Sequence, residues 1–192
     1  MSLRKTGIFS GSFNPIHIGH LALANWLCEY EDLSEIWFVV TPQSPLKTHA
    51  PLPDAAWRLE MARKATAGYP RFVVSDFEFA LPQPSYTSHT LAELRLAFPD
   101  RLFHLIIGAD NWAVFDRWKN SEQIIRSFPI LVYPRPGYEA VIPAGCSTVR
   151  LVQAPLIEIS SAFIRGAMAE GKDVRFFLPE AIREMYAGRE AR

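Results

Sequence analysis

Apolar residues follow two rhythms along this chain, short continuous runs and longer stretches in which they recur every three or four positions. The short runs predict strands at 6–9, 35–41, 72–75, 102–107, 129–133 and 148–152. The longer stretches predict helices at 18–31, 55–67, 88–98, 122–127, 162–170 and 180–187. Their alternation is the pattern of β-α-β units around a parallel sheet. The run Leu102, Phe103, His104, Leu105, Ile106 and Ile107 is apolar on both faces apart from one histidine, as a central strand covered by helices on each side requires. The predicted architecture is α/β, a doubly wound parallel sheet in one domain spanning 1–192, with 154–192 as a small C-terminal helical subdomain.

At 192 residues the chain can bury a substantial single core. Twenty Lys plus Arg balance twenty Asp plus Glu, so no overall positive field draws it to nucleic acid or anionic lipid, and any anion site must be local. Cys28 and Cys146 lie far apart and form no C-x-x-C pair, which argues against a zinc ribbon, a redox dithiol or a disulfide scaffold. A reducing cytoplasm is the simplest compartment. The first residues enter a strand without the pattern of a secretory signal, and no stretch is long enough to span a membrane. Proline-rich loops at 42–53 and 81–85 follow strand ends, where open α/β sheets place their ligands.

The first strand runs through Ser10, Gly11, Ser12, Phe13, Asn14, Pro15 and Ile16 into His17-Ile18-Gly19-His20, where a helix begins. Such a start offers unpaired backbone N–H groups and a positive dipole end, which suit phosphate. His17 and His20, three apart, project from one side and can both donate to one polyphosphate. Alternatively, His20 simply continues the apolar stripe of Leu23 and Leu27. Gly19 costs the helix about 0.5–1 kcal/mol relative to alanine, a cost that something must offset. Neither a Walker lysine loop nor G-x-G-x-x-G is present.

A second helix start follows Glu158 and Ile159, with Ser160 as a good N-cap. Ser161 and Arg165, four apart, share a face from which hydroxyl and guanidinium can grip phosphate oxygens.

The His17 to His20 element resembles the H-x-G-H signature of the nucleotidylyltransferase superfamily, and 159–165 resembles its I-S-S-x-x-I-R motif. Asp76-Phe77-Glu78, then Ser85-Tyr86-Thr87 with Thr90-Leu91, resemble the D-x-E and S-Y-T-x-x-T-L segments of nicotinate mononucleotide adenylyltransferases. Gly108-Ala109-Asp110 with Trp118, and Pro134-Arg135-Pro136-Gly137, resemble further segments of that family.

The resemblance implies a Rossmann-like fold and transfer of the adenylyl group of ATP to nicotinate mononucleotide, with Mg²⁺ accompanying ATP. It implies catalytic roles for His17, His20, Lys47 and Arg165. ATP contacts would come from Gly11, Ser12, Phe13, His17, Gly19, His20, Gly108, Asp110, Ser160, Ser161, Ile164 and Arg165. Mononucleotide contacts would come from Ser12, Asn14, Lys47, Tyr86, Thr87 and Trp118, the indole stacking on the pyridine ring. No resident metal site is implied, and a homo-oligomer is left open. The chain departs from the family pattern at Asn14, Leu46, Leu81, His89 and Ala162. Nicotinamide mononucleotide and phosphopantetheine remain alternative acceptors, and a regulator that binds nucleotide without turnover remains an alternative role.

Overall fold

The structure, a computed structural model, describes residues 3–43 and 52–190, with side chains as far as 186. Six strands carry it: β1 Arg4–Gly11, β2 Glu35–Val40, β3 Phe72–Ser75, β4 Arg101–Gly108, β5 Ile130–Tyr133 and β6 Val149–Leu151. All pair in parallel, in the order β3-β2-β1-β4-β5-β6. The helices are α1 Ile18–Tyr30, α2 Ala55–Thr66, α3 Thr87–Ala97, α4 Ala109–Trp112, α5 Ser121–Ser127, α6 Ser161–Ala169 and α7 Arg183–Glu190.

Each strand residue faces opposite to the next, so the sheet feeds two cores. On β2, Ile36, Phe38 and Val40 join one core with α1, α2 and α6, while Trp37 and Val39 join another with α3 and α5. On β4, Ile106 enters the first core, and Phe103, Leu105 and Ile107 enter the second. This double covering explains why both strands read as unbroken apolar runs. The segment after β6 buries Ile164, Ala167, Val174, Leu178, Ile182 and Tyr186 in the first core, and Tyr186 stacks with Trp57 of α2 at 5.9 Å.

The fold is the doubly wound α/β sheet expected, and β4 lies beside β1 at its centre. All six strands lie within a residue or two of the expected positions. Three single-turn 3₁₀ segments at Phe77–Ala80, Phe115–Arg117 and Arg175–Phe177, and the four-residue α4, were not legible because such lengths carry no full amphipathic period. The last helix begins as a 3₁₀ turn, Glu180–Ile182, before α7. Helix α1 stops where Asp32 takes a left-handed conformation (φ 53), which no helix can continue through. Among the described residues no helix is long and apolar enough to cross a membrane.

Candidate active site

The switch point between β1 and β4 opens a crevice at the carboxyl ends of the strands, and the turn after β1 fills it. Phe13 in that turn has φ 43, a strained conformation for a bulky residue costing about 1–3 kcal/mol. Its buried ring offsets the strain, meeting Phe9 edge-on at 5.9 Å, Phe38 at 5.7 Å and His20 edge-on at 5.2 Å.

His17 caps α1 in extended conformation, and its imidazole stacks on that of His20 with centroids 3.6 Å apart. The His17 backbone N–H donates to His20 Nδ1 at 3.2 Å. Neutral His20 must therefore carry its proton on Nε2, leaving that N–H as the outward donor. His17 is 3 % exposed and its Nδ1 has no hydrogen-bond partner. Burial, then the Arg135 charge, pushes its pKa down to about 4. Burial also pushes His20 well below the usual histidine range, followed by His17 and Arg135. Both rings are neutral donors at pH 7 rather than cations.

A Cβ on Gly19 would lie 3.1 Å from the His17 ring and 3.3 Å from Ile157. The glycine thus makes room for the imidazole and for the segment leading to α6, and this close packing offsets its helix cost. His17, Gly19, His20, Tyr133, Arg135 and Ile157 line one small cavity.

Helix α6 begins against the same turn. Ser160 caps it by accepting the Phe163 N–H at 3.1 Å. Ser161 Oγ donates to the Pro15 carbonyl at 2.9 Å, and the Arg165 guanidinium to the Asn14 carbonyl at 2.6 Å. The two motifs, some 145 residues apart in sequence, meet across Asn14 and Pro15. Ile164 is fully buried beneath them. These contacts also show a task the sequence did not disclose: Ser161 and Arg165 fix the shape of the first turn.

At the ends of β4 and β5, Gly108 caps α4. A Cβ there would fall 2.3 Å from Asp110 Oδ1, 3.0 Å from Arg135 and 3.1 Å from Tyr133, so a side chain at 108 would push the Asp110 carboxylate aside. Asp110 Oδ1 lies 3.5 Å from Arg135 Nε, and Arg135 lies over the Tyr133 ring at 5.4 Å.

The remaining candidates gather around the start of α3. Tyr86 precedes Thr87 at that start, and Lys119 Nζ sits 4.4 Å over the Tyr86 ring. Trp118 packs at 5.1 Å against Phe115, and its buried Nε1 has no hydrogen-bond partner. Beneath them Glu78 accepts from Thr90 Oγ1 at 2.9 Å, and burial pushes its carboxyl up despite that bond. Lys47 and Leu46 lie outside the described residues.

Two participants carried no role in the sequence reading. Arg135 stood within a recognised turn, and only the fold aims it at the histidines. Arg58 was read as one residue of a helix. The available signal was its place four before Ala62 and beside Leu59, a charged residue on an otherwise apolar face.

Among known proteins, the profile of the cytidylyltransferase-like family matches residues 8–167. A Bacteroides fragilis protein named "Probable nicotinate-nucleotide adenylyltransferase" is 58 % identical over 95 % of this chain and 90 % of its own. One of the same name from Bacteroides thetaiotaomicron is 59 % identical over 94 % and 89 %. Among solved structures, Plasmodium falciparum nicotinic acid mononucleotide adenylyltransferase complexed with NaAD superposes with TM-score 0.77 at 17 % identity, covering 96 % of each chain, a likeness of fold. Profile, relatives and site agree, and the chain belongs to the nicotinate-nucleotide adenylyltransferase family of cytidylyltransferase-like proteins.

Proposed function

We propose that this enzyme transfers the adenylyl group of ATP to nicotinate mononucleotide, giving nicotinate adenine dinucleotide and pyrophosphate. The observation that carries this reading is the meeting of two helix starts on one turn, which gathers the donors a triphosphate needs. The names of the relatives and the resemblance carried by Tyr86, Thr87 and Trp118 support a pyridine mononucleotide as acceptor.

An oxygen of the acceptor 5′-phosphate attacks the α-phosphorus of ATP as the bond to the bridging oxygen breaks, and pyrophosphate leaves with that oxygen. A phosphate whose second pKa is about 6 is already ionised at neutral pH, so no general base is needed. Catalysis then consists of positioning and stabilisation of charge. His20 Nε2–H and His17 serve as neutral donors to the α-phosphate, while Arg135, Arg165 and Lys47 supply positive charge. Ser160, Ser161 and the N–H groups of Gly11, Ser12 and Phe13 contact the polyphosphate. Gly108 and Asp110 hold the adenosine, and Trp118 stacks on the pyridine. At the turn Ser12 contacts both substrates, and Asn14 contacts the mononucleotide.

Among the described residues no group of three or more His, Cys, Asp or Glu gathers to hold a metal ion. We assign Mg²⁺ to the ATP it arrives with, as part of the substrate. We place the reaction in the cytoplasm, with both substrates as small-molecule partners and without nucleic acid or membrane.

The test is product formation from MgATP with nicotinate mononucleotide, nicotinamide mononucleotide or phosphopantetheine in parallel. The acid mononucleotide is expected to give the highest kcat/KM. Faster pyrophosphate release with either competitor, or none with any acceptor, would overturn the reading.

A further inference from the structure

Arg58, in the first turns of α2, is the largest fully buried side chain among the described residues, with 0 % exposure. Its Nε donates to the Pro53 carbonyl at 3.1 Å. One terminal nitrogen donates to Ser12 at 2.6 Å and Thr41 at 2.9 Å, and the other to Pro42 at 2.9 Å. All four acceptors are backbone carbonyls, and no carboxylate is among them. Burying a guanidinium is costly, and an apolar side chain would fill the same space at less expense if packing were its only task. The value of the cation lies in what it holds.

Three segments meet on it: the turn after β1, the end of β2 and the approach to α2. In the sheet, β2 flanks β1 on one side and β4 with β5 on the other. Arg58 reaches the turn from the β2 side, whereas Tyr133 and Arg135, which share a cavity with His17 and His20, belong to the β5 side. The peptide bond from Ser12 to Phe13 is trans, so its C=O and N–H point in opposite directions. With the carbonyl held by Arg58, the Phe13 N–H points away from Arg58. A carbonyl pointing that way would repel a phosphate, and an N–H binds it. Phe13, whose N–H this is, has a left-handed backbone with φ 43.

We propose that Arg58 is a positioning residue of the triphosphate site, which holds the Ser12 carbonyl on the β2 side and thereby aims the Phe13 N–H at a substrate phosphate. The proposal rests on the adenylyl-transfer reading of that site. It differs from a purely structural role in predicting a loss selective for ATP.

In Arg58→Lys the charge remains, but an ammonium cannot span four carbonyls. The expected result, in protein shown folded by circular dichroism, is ATP binding weakened about tenfold and kcat lowered about 10²-fold, the size of a lost oxyanion donor. Calorimetric affinity for nicotinate mononucleotide should stay within about threefold, since Tyr86, Thr87 and Trp118 hold the acceptor apart from that donor and the Ser12 and Asn14 side chains do not act through the Phe13 N–H. Should Arg58→Lys not fold, Arg58→Ala with added methylguanidinium supplies the second measurement: ATP binding restored by methylguanidinium, and not by equimolar NaCl, supports positioning. Unchanged ATP affinity and kcat in folded Arg58→Lys, or equal losses for ATP and mononucleotide, overturn the proposal, as does absence of rescue in the alanine variant. Because ATP binding is measured without acceptor, failure of the mononucleotide assay alone would instead count against the function proposed above.

Discussion

The two ends of the sheet bury polar groups to opposite purposes. At the amino ends of the strands, the Glu35 carboxylate is 3 % exposed, yet both oxygens are bonded. Oε1 accepts from Thr6 at 2.9 Å, Trp37 at 3.0 Å and Arg101 at 3.1 Å, and Oε2 pairs with Arg4 at 2.9 Å. At the carboxyl ends and the loops beyond them lies every buried side-chain nitrogen or oxygen without a hydrogen bond among the described residues. These are Ser10 Oγ, His17 Nδ1, Glu78 Oε2, Asp110 Oδ1 and Trp118 Nε1. One chain thus satisfies a buried carboxylate four times over at one end and leaves five atoms without a hydrogen bond at the other, Asp110 Oδ1 having only the Arg135 charge at 3.5 Å. Since native interiors rarely tolerate such atoms, their concentration on one edge marks a surface shaped for something other than the protein itself.

The comparison predicts a double dissociation. His20→Ala, at the unmatched end, should lower kcat about 10²–10³-fold, the cost of removing a preorganised donor, while the thermal midpoint moves by only a few degrees. Undiminished turnover in the folded variant would remove His20 from its assigned role. Glu35→Ala should do the reverse. It strips a buried carboxylate from Arg101 and Arg4, and because both arginines retain some exposure the expected loss is about 3 kcal/mol, the lower end for a broken buried pair. Denaturant unfolding reads that loss, and kcat per folded molecule should stay within about twofold, since Glu35 is remote from the site. A large fall in specific activity would break the division between the two ends.

A third effect arises from protons. Unfolded His17 takes one up near its ordinary pKa of 6.5, and folded His17 only near 4. Between those values the unfolded state binds more protons, so stability falls as the pH drops through the window. For His17 alone the loss from pH 8 to pH 5 is about 2 kcal/mol. Urea unfolding at both values should show it, and His17→Asn should reduce the difference by about that amount. An identical pH dependence in the variant would mean that His17 is not held neutral by the fold.

How far this division could be read from sequence varied with the distance over which each cause acts. Strand β4 was legible because a strand buried on both faces must be apolar at successive positions, a local constraint. His17 with His20, and Ser161 with Arg165, were legible as pairs because helix geometry alone sets their facing sides. That Ser161 and Arg165 bond the carbonyls of Pro15 and Asn14, just ahead of the histidine pair, was not, because a contact spanning most of the chain leaves no periodic trace. Arg58 was hidden for a related reason. Its partners are carbonyls, which every residue possesses, so nothing in the residue types at positions 12, 41, 42 and 53 announces it. Arg135 aims at the histidines only because β5 lies next to β4 in the sheet.

The smallest effect asks what one unmatched atom at the carboxyl edge is for. Trp118→Phe keeps an aromatic ring against Phe115 and removes the buried Nε1–H together with part of the indole's volume, a packing loss common to both outcomes below. If that N–H were merely unsatisfied in every state, deleting it would relieve a desolvation cost, leaving stability equal or higher and the mononucleotide KM unchanged. If it completes its hydrogen bond only with substrate present, the variant should be as stable as the parent yet show a mononucleotide KM raised about fivefold, the equivalent of about 1 kcal/mol. The KM for ATP serves as the internal control, since Gly108 and Asp110, which hold the adenosine in this reading, are untouched. We expect the second outcome, because an indole with no partner in so well satisfied a fold is most simply a donor reserved for the acceptor.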